Sequence, residues 1–207
     1  MYFRQYLIKK HYPIPMKPLI LASSSVYRRS LLQKLHIEFT FEAPNIDEHP
    51  IDNERPEILA LRLAKEKARA LQSKYPHHLI ISSDQVANFG NQILGKPRNH
   101  QNTVQQLKLQ SGQSVHFYTS VCVLDSASNQ FYTDIDCCTV HFKKLTDQQI
   151  INYVTIDQPY NCAGGFKSEG LGIALFNKIE GDDPNALIGL PLIKLIKLLE
   201  KLDVQVI

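Results

Sequence analysis

The sequence has no tryptophan, only two methionines and four cysteines, and no apolar run near the roughly 18 residues that a membrane span requires. Cys122, Cys137, Cys138 and Cys162 form no CxxC pair, and no histidine stands at zinc-finger spacing from them. Two are adjacent and do not easily bridge each other, so the expectation is a reduced, cytoplasmic protein. Charge of one sign is also scarce: 23 Lys and Arg against 20 Asp and Glu leave a net +3. That surplus, without aromatic–basic repeats, argues against a nucleic-acid binder. The N-terminal MYFRQYLIKKHYPIP is basic and aromatic but lacks the apolar stretch and small-residue cleavage site of a signal peptide. Neither GxxxxGK[ST] nor a GxGxxG after a strand is present. The histidines are scattered, with no pair at helical metal-ligand spacing, and read as structural.

What remains is a chain of 207 residues, 43% apolar and 21% charged, long enough for one domain with a real core. Its 11 prolines and 9 glycines exclude collagen-like and disordered classes. An ordered pattern starts at KPLILASSS, directly after Met16. Residues 1–16 therefore read as an N-terminal extension, or else as an arm or edge strand on a domain spanning 17–207. Leu19–Ala22 reads as a buried strand, SSS as a turn and cap, and Val26–Leu35 as a helix. Residues 39–50 are extended, then irregular. Pro56 opens a helix to about Gln72, in the first turn where a missing N–H costs nothing. LIISS (79–83) is a strand ending at Asp84, and a turn at FGNQ leads to ILGKPR. A helix follows over about Gln101–Leu109. Val115–Leu124 and Gln130–Phe142 form a hairpin across DSASN. Thr146 and Gln149 fit a capping box for a helix to Val154. CAGGFKSEGLG (162–172) precedes a strand over Ile173–Ile179, and GDDPNALIG leads to a last helix over Pro191–Leu202. Interspersed strands and helices, with crossovers and hairpins, predict a mixed α/β domain without internal repeats.

Several residues could carry chemistry. A carboxylate such as Asp84 at the end of an apolar strand stands where open α/β sheets bind ligands; taken alone, it equally caps a turn. Glu48 is a second acid, in an irregular segment. Lys67 interrupts the apolar stripe of Leu63 and Leu71, either snorkelling or leaning toward an anion. Lys96 follows a strand at a glycine turn. Arg28 lies in the first turn of a helix whose serine loop offers free N–H groups to an anion. The glycine-rich 162–172 stretch by itself indicates only a tight turn. Three cations, one helix N-terminus and two acids suggest a polyphosphate with a divalent metal such as Mg²⁺ or Mn²⁺. Cys162 has no partner base and is not expected to act as a nucleophile. Cys137 and Cys138 alternate across a strand, one toward the core and one away.

In order, LILASSSVYRRSLL (19–32), NIDE (45–48), LRLAKEKA (61–68), SSDQV (82–86), LGKP (94–97), CAGGFKSEG (162–170) and GDDPNALIGLPL (181–192) resemble the Maf family of nucleoside triphosphate pyrophosphatases. The resemblance covers residues 17 to about 203. It implies a Maf/inosine-triphosphatase-like single α/β domain: a mixed sheet with flanking helices, in two lobes around a central cleft. SSDQV and FKSEG are similar to the branch acting on 7-methyl-GTP, which yields 7-methyl-GMP and pyrophosphate and would clear modified nucleotides from the pool. The branch hydrolysing dTTP and UTP typically carries Thr in place of Gln85. The resemblance implies that Ser23 and Arg28 hold phosphates and that Lys67 and Lys96 neutralise the triphosphate. Glu48 and Asp84 would serve a divalent cation and water, with Asp84 as proton acceptor. Tyr27, Gln85 and Glu169 would select the base. One departure is Val26, where the family commonly has proline. Expected partners are a nucleoside triphosphate and a second copy of the chain, with neither nucleic acid nor membrane. A dTTP/UTP pyrophosphatase and a non-catalytic nucleotide-binding regulator of cell division are the alternatives.

Overall fold

The computed structural model describes residues 17–90 and 92–207; the anticipated N-terminal extension lies outside the described residues. The strands are β1 (Leu19–Ala22), β2 (Phe39–Glu42), β3 (Leu79–Phe89), β4 (Gln92–Leu94), β5 (Ser114–Asp125), β6 (Gln130–Phe142) and β7 (Phe176–Glu180). The helices are α1 (Val26–Gln33), α2 (Pro56–Gln72), α3 (His100–Gln110), α4 (Asp147–Asp157) and α5 (Leu192–Glu200). All seven strands form one sheet in the order β2-β1-β3-β5-β6-β7, with β4 added to β3. β1 runs parallel to β2 and β3, and the remaining pairings are antiparallel. A mixed sheet with flanking helices is thus what the chain forms.

Local chemistry accounts for the elements. All four residues of β1 are buried, as in a parallel strand covered on both faces. Pro56 occupies the first turn of α2, and Thr146 with Gln149 forms the capping box of α4. α4 runs on past Val154 until Gln158 adopts a left-handed conformation. The β5–β6 turn is tied by Asp125, which accepts from Ala127 N and Ser128 Oγ, while Asn129 takes φ +56°. Cys138 is buried and Cys137 exposed, in line with strand alternation.

Two expectations need correction. β3 does not end at Asp84: its register with β5 is unbroken from Leu79↔Asp125 to Asn88↔His116, so Asp84 lies mid-strand. The polar run Ser82–Gln85 resembles a strand terminus in sequence, but it is paired and packed under α2. The last strand begins only at Phe176, and Leu171–Leu175 winds into 3₁₀ turns. β6 stops at Phe142, so residues before Phe176 have no partner strand there.

The long strands β3, β5 and β6 serve two cores. At one end, Leu19, Leu21, Ile81 and Val123 pack on α1 and α5, while Ile20, Ile80 and Leu124 face α2 from the opposite side. At the other end, Ala87, Val115, Phe117 and Val140 pack with α3, α4 and the 162–176 segment. Phe117, Phe142, Phe166 and Phe176 meet edge-to-face there, at centroid spacings of 4.8–5.6 Å. Gly164, at φ +76°, lies flat on this group: a Cβ would stand 2.8 Å from Phe117 Cζ. Gly164 thus serves close packing, in a stretch where the sequence indicated only a tight turn. Asp84 lies between the two cores.

Candidate active site

The site is built where α2 crosses β3. Ala60, Ala64 and Ala68 line one face of α2 and are fully buried, so the helix approaches the sheet closely. Two buried strand hydroxyls then reach helix carbonyls: Ser82 Oγ donates to Ala64 O and Ser120 Oγ to Ala60 O, each at 2.6 Å. Ser120 Oγ also accepts from Asp84 N at 3.2 Å, which fixes the backbone that carries the acid. Lys67, one turn further along the helix, is only 5% exposed and Asp84 only 7%. The lysine does not snorkel to water. Its Nζ lies 2.5 Å from Asp84 Oδ1 and 2.7 Å from Glu48 Oε1. One buried ammonium thus joins two carboxylates contributed by β3 and by the irregular segment after β2.

Glu48 is the outer member, its side chain 48% exposed. Partial burial pushes its carboxyl up, but Lys67, then Lys96 and Arg28, outweigh this and hold it below the ordinary carboxylate range. Lys96 is exposed on the turn after β4, close enough for its charge to reach this acid. Arg28 enters from α1, whose N-cap Ser25 accepts from Arg28 N. Burial pushes the Arg28 guanidinium down, against the opposing pull of Asp84 and Glu48. Its Nε donates to Gly189 O at 2.8 Å, and Ser83 Oγ donates to the same carbonyl at 2.8 Å. Ser23 is buried, its Oγ accepting from Ser25 N and shaping the serine turn. The structure therefore brings Arg28, Glu48, Lys67, Asp84 and Lys96 around one point.

The residues expected to select a base fall into two groups. Tyr27 lies with Cys162, Glu169 and Asp157: its phenol is pushed up by burial first, then by these three groups. Burial pushes the Cys162 thiol up to about 11, so it is no thiolate at neutral pH. Gln85 is tied through its amide nitrogen to β5 and to the 182–190 loop. Its Nε2 faces Thr119 Oγ1 at 3.0 Å, Ala186 O at 3.0 Å and Leu187 O at 2.9 Å, leaving only Oε1 for a ligand. Gln85→Ala should therefore strip the donor from Leu187 O and loosen the 182–190 loop. The expected stability loss is about 1–3 kcal/mol, the cost of an unsatisfied buried group, read from denaturant unfolding.

Sequence reasoning assigned no role within GDDPNALIG, yet this loop closes the site. Asp183 anchors it, accepting from Asn185 N at 2.8 Å and from Ile193 N at 2.6 Å. Gly189 takes φ +126°, a conformation open to glycine, and so turns its carbonyl toward Arg28 and Ser83. The Asp–Pro–Asn turn was legible; its destination 161 residues from Arg28 was not.

Two carboxylates alone do not make a closed cation cage, and no cluster of three or more His, Cys, Asp or Glu that could hold a metal occurs among the described residues. The donor set does fit Mg²⁺, which typically takes one or two carboxylates and completes its octahedron with water and substrate phosphate oxygens. A surface concavity of about 390 Å³ beside Ile58, Arg62 and Arg69 is lined by none of these five groups. Chemistry, not concavity, locates the site.

A 7-methyl-GTP pyrophosphatase of Colwellia psychrerythraea is 52% identical over 192 residues, covering 93% of this chain and 96% of that protein. One of Pseudoalteromonas translucida is 55% identical over 190 residues, covering 92% and 94%. Among solved structures, the Staphylococcus aureus Ham1 protein aligns with a TM-score of 0.44 at 11% identity, over 62% of this chain and 73% of that one. The family model described as Maf-like protein matches residues 18–202, taking in every site residue named above. This chain belongs to the Maf family.

Proposed function

We propose that this protein is a nucleoside triphosphate pyrophosphatase that hydrolyses 7-methyl-GTP to 7-methyl-GMP and pyrophosphate. The observation that carries the reading is the Lys67 ammonium held between Asp84 and Glu48, with Arg28 and Lys96 beside them. In this reading residues 17–207 are the catalytic domain, and the four free thiols suit a reducing compartment. No helix among the described residues is long and apolar enough to cross a membrane.

The chemistry follows from the charges. Water adds across the α–β anhydride: its oxygen bonds to phosphorus, the bridging P–O bond breaks, and negative charge develops on the leaving pyrophosphate. Arg28, Lys67 and Lys96 stabilise that charge, and the partial desolvation of Arg28 and Lys67 strengthens their interactions. Asp84 accepts the proton of the attacking water, help worth roughly 10²–10⁴-fold in rate. Asp84 and Glu48 would hold a divalent cation, which when bound supplies Lewis acidity to phosphate oxygens and acidifies water. Lys67 then turns from the carboxylates toward the triphosphate.

N7 methylation leaves guanine positively charged. The face of Tyr27 attracts such a ring by about 0.5–2 kcal/mol, and Glu169 favours the same charge while accepting from the Watson–Crick edge. Gln85 Oε1 is the remaining neutral acceptor. The test is pyrophosphate release from 7-methyl-GTP, GTP, dTTP and UTP, with Mg²⁺ or Mn²⁺ and with EDTA. The expected result is preference for 7-methyl-GTP and silence in EDTA. Tyr27→Ala and Glu169→Ala should erode the preference more than the hydrolysis. Faster dTTP would assign the other branch, and full activity in chelator would remove the metal.

A further inference from the structure

The segment between β2 and α2 places Glu48 in the site, yet little of its own backbone holds it. Among the described residues its hydrogen-bonded backbone donors reach only acceptors within the segment: Glu54 N to Ile51 O, His49 N to Asp47 Oδ1, and Ile51 N to Glu54 Oε2. Pro44 and Pro50 contribute no N–H. Ile46 packs against Leu59, Ala60 and Leu63 of α2, and beyond the Lys67–Glu48 pair the polar grip on the segment comes from one further side chain of that helix. Arg62 Nε donates to Glu54 Oε1 at 2.7 Å and Nη2 to Glu54 Oε2 at 2.8 Å, a two-pronged fork. Nη2 also donates to His49 O at 3.1 Å, and Nη1 is braced by Glu66 at 3.2 Å. Arg62 therefore holds the residue after Glu48 and the end of the same segment, from the helix that carries Lys67.

We infer that Arg62 is the positioning residue of Glu48, a clamp that keeps this acid over the site when Lys67 is drawn to substrate. The inference rests on the proposed function. In the resting protein Glu48 is held both by Lys67 and by the Arg62 clamp. A triphosphate competes for the Lys67 ammonium, and the clamp then remains as the polar tether on the Glu48 side of the segment, with Ile46 as its apolar anchor on the other. Lysine cannot replace Arg62, because an ammonium does not reproduce the planar fork on Glu54 together with the bond to His49 O.

The test is a double-mutant cycle measured with whichever nucleotide wild type turns over. Arg62→Ala and, as a gentler loosening of the fork, Glu54→Gln are each made with Glu48 present and with Glu48→Gln. Each should lower kcat about tenfold with Glu48 present and less than about twofold with Glu48→Gln, a separation of over about 0.9 kcal/mol in activation free energy. A merely structural defect would act by the same factor in both backgrounds. Equal factors, or no loss with Glu48 present, overturn the inference. A readout independent of turnover is cleavage by a glutamate-specific protease after Glu48, which Arg62→Ala should accelerate about tenfold by freeing the segment. An unchanged cleavage rate overturns the clamp, whereas a wild type that hydrolyses no nucleotide overturns the proposed function instead.

Discussion

Asp84→Asn should lower kcat by roughly 10²–10⁴-fold, the range for losing a positioned proton acceptor, while the protein stays folded. Asparagine keeps the size of the side chain and an oxygen that can accept from Lys67. The backbone bond from residue 84 to Ser120 Oγ is untouched. Lys67 retains Glu48 at 2.7 Å, so the buried ammonium is not left alone. What is lost is the negative charge, and with it both proton acceptance and affinity for a hard cation. The comparison is kcat on 7-methyl-GTP alongside thermal unfolding of both proteins. A folded variant with near-wild-type turnover would rule Asp84 out of the chemistry.

Lys67→Met should be damaging in two ways. Methionine fills the volume of the lysine stem but leaves Asp84 and Glu48 without the ammonium that bridges them. Removing a partner from a buried ion pair costs about 3–5 kcal/mol, and the lower end applies here because Glu48 is half-exposed and screened by water. Turnover should fall by roughly 10²–10³-fold, as when one preorganised charge-stabilising donor is deleted. The pH dependence gives a sharper signature. In wild type, Glu48 is held below the ordinary range, so its contribution is complete above the ordinary carboxylate pKa and is lost as pH falls through the lowered value. In the variant the largest downward pull is absent, and only Lys96 and Arg28 still oppose the upward push of burial. The resulting penalty is present at neutral pH and is relieved on acidification. The stability gap between the two proteins should therefore narrow from pH 7 toward about 4. Denaturant titrations with a constant gap across this interval would show that Lys67 does not govern Glu48.

Elements with their own chemical punctuation were legible in the sequence. Pro56 and the apolar repeat of 59–71 placed α2, Thr146 and Gln149 placed the start of α4, and DSASN placed the long hairpin. The site residues were legible as types: acids and cations where a polyphosphate needs them. Their arrangement was not. Lys67 in an apolar stripe could have been a snorkelling side chain, and only the close docking of α2 through Ala60 and Ala64 makes it a buried bridge. Gln85 read as a base-selecting residue, and nothing local shows that its amide nitrogen is tied to a loop about a hundred residues away. Arg62 carries no local mark of its role, because nothing near it in the sequence points to Glu54 and His49 as its acceptors.

By itself the sequence determined which helices and turns form and which functional groups are available, because caps, prolines and hydrophobic periods act within a few residues. Only the tertiary structure decided that Asp84 lies mid-strand rather than at a strand end, since that depends on β5 as its pairing partner. It alone also decided which charges meet. Lys67 and Asp84 are 17 residues apart, and Arg28 and Gly189 are 161 apart. Contacts at such separations are set by the order of strands in the sheet and by the packing of α1, α2 and the 182–190 loop on it. No local propensity carries that information.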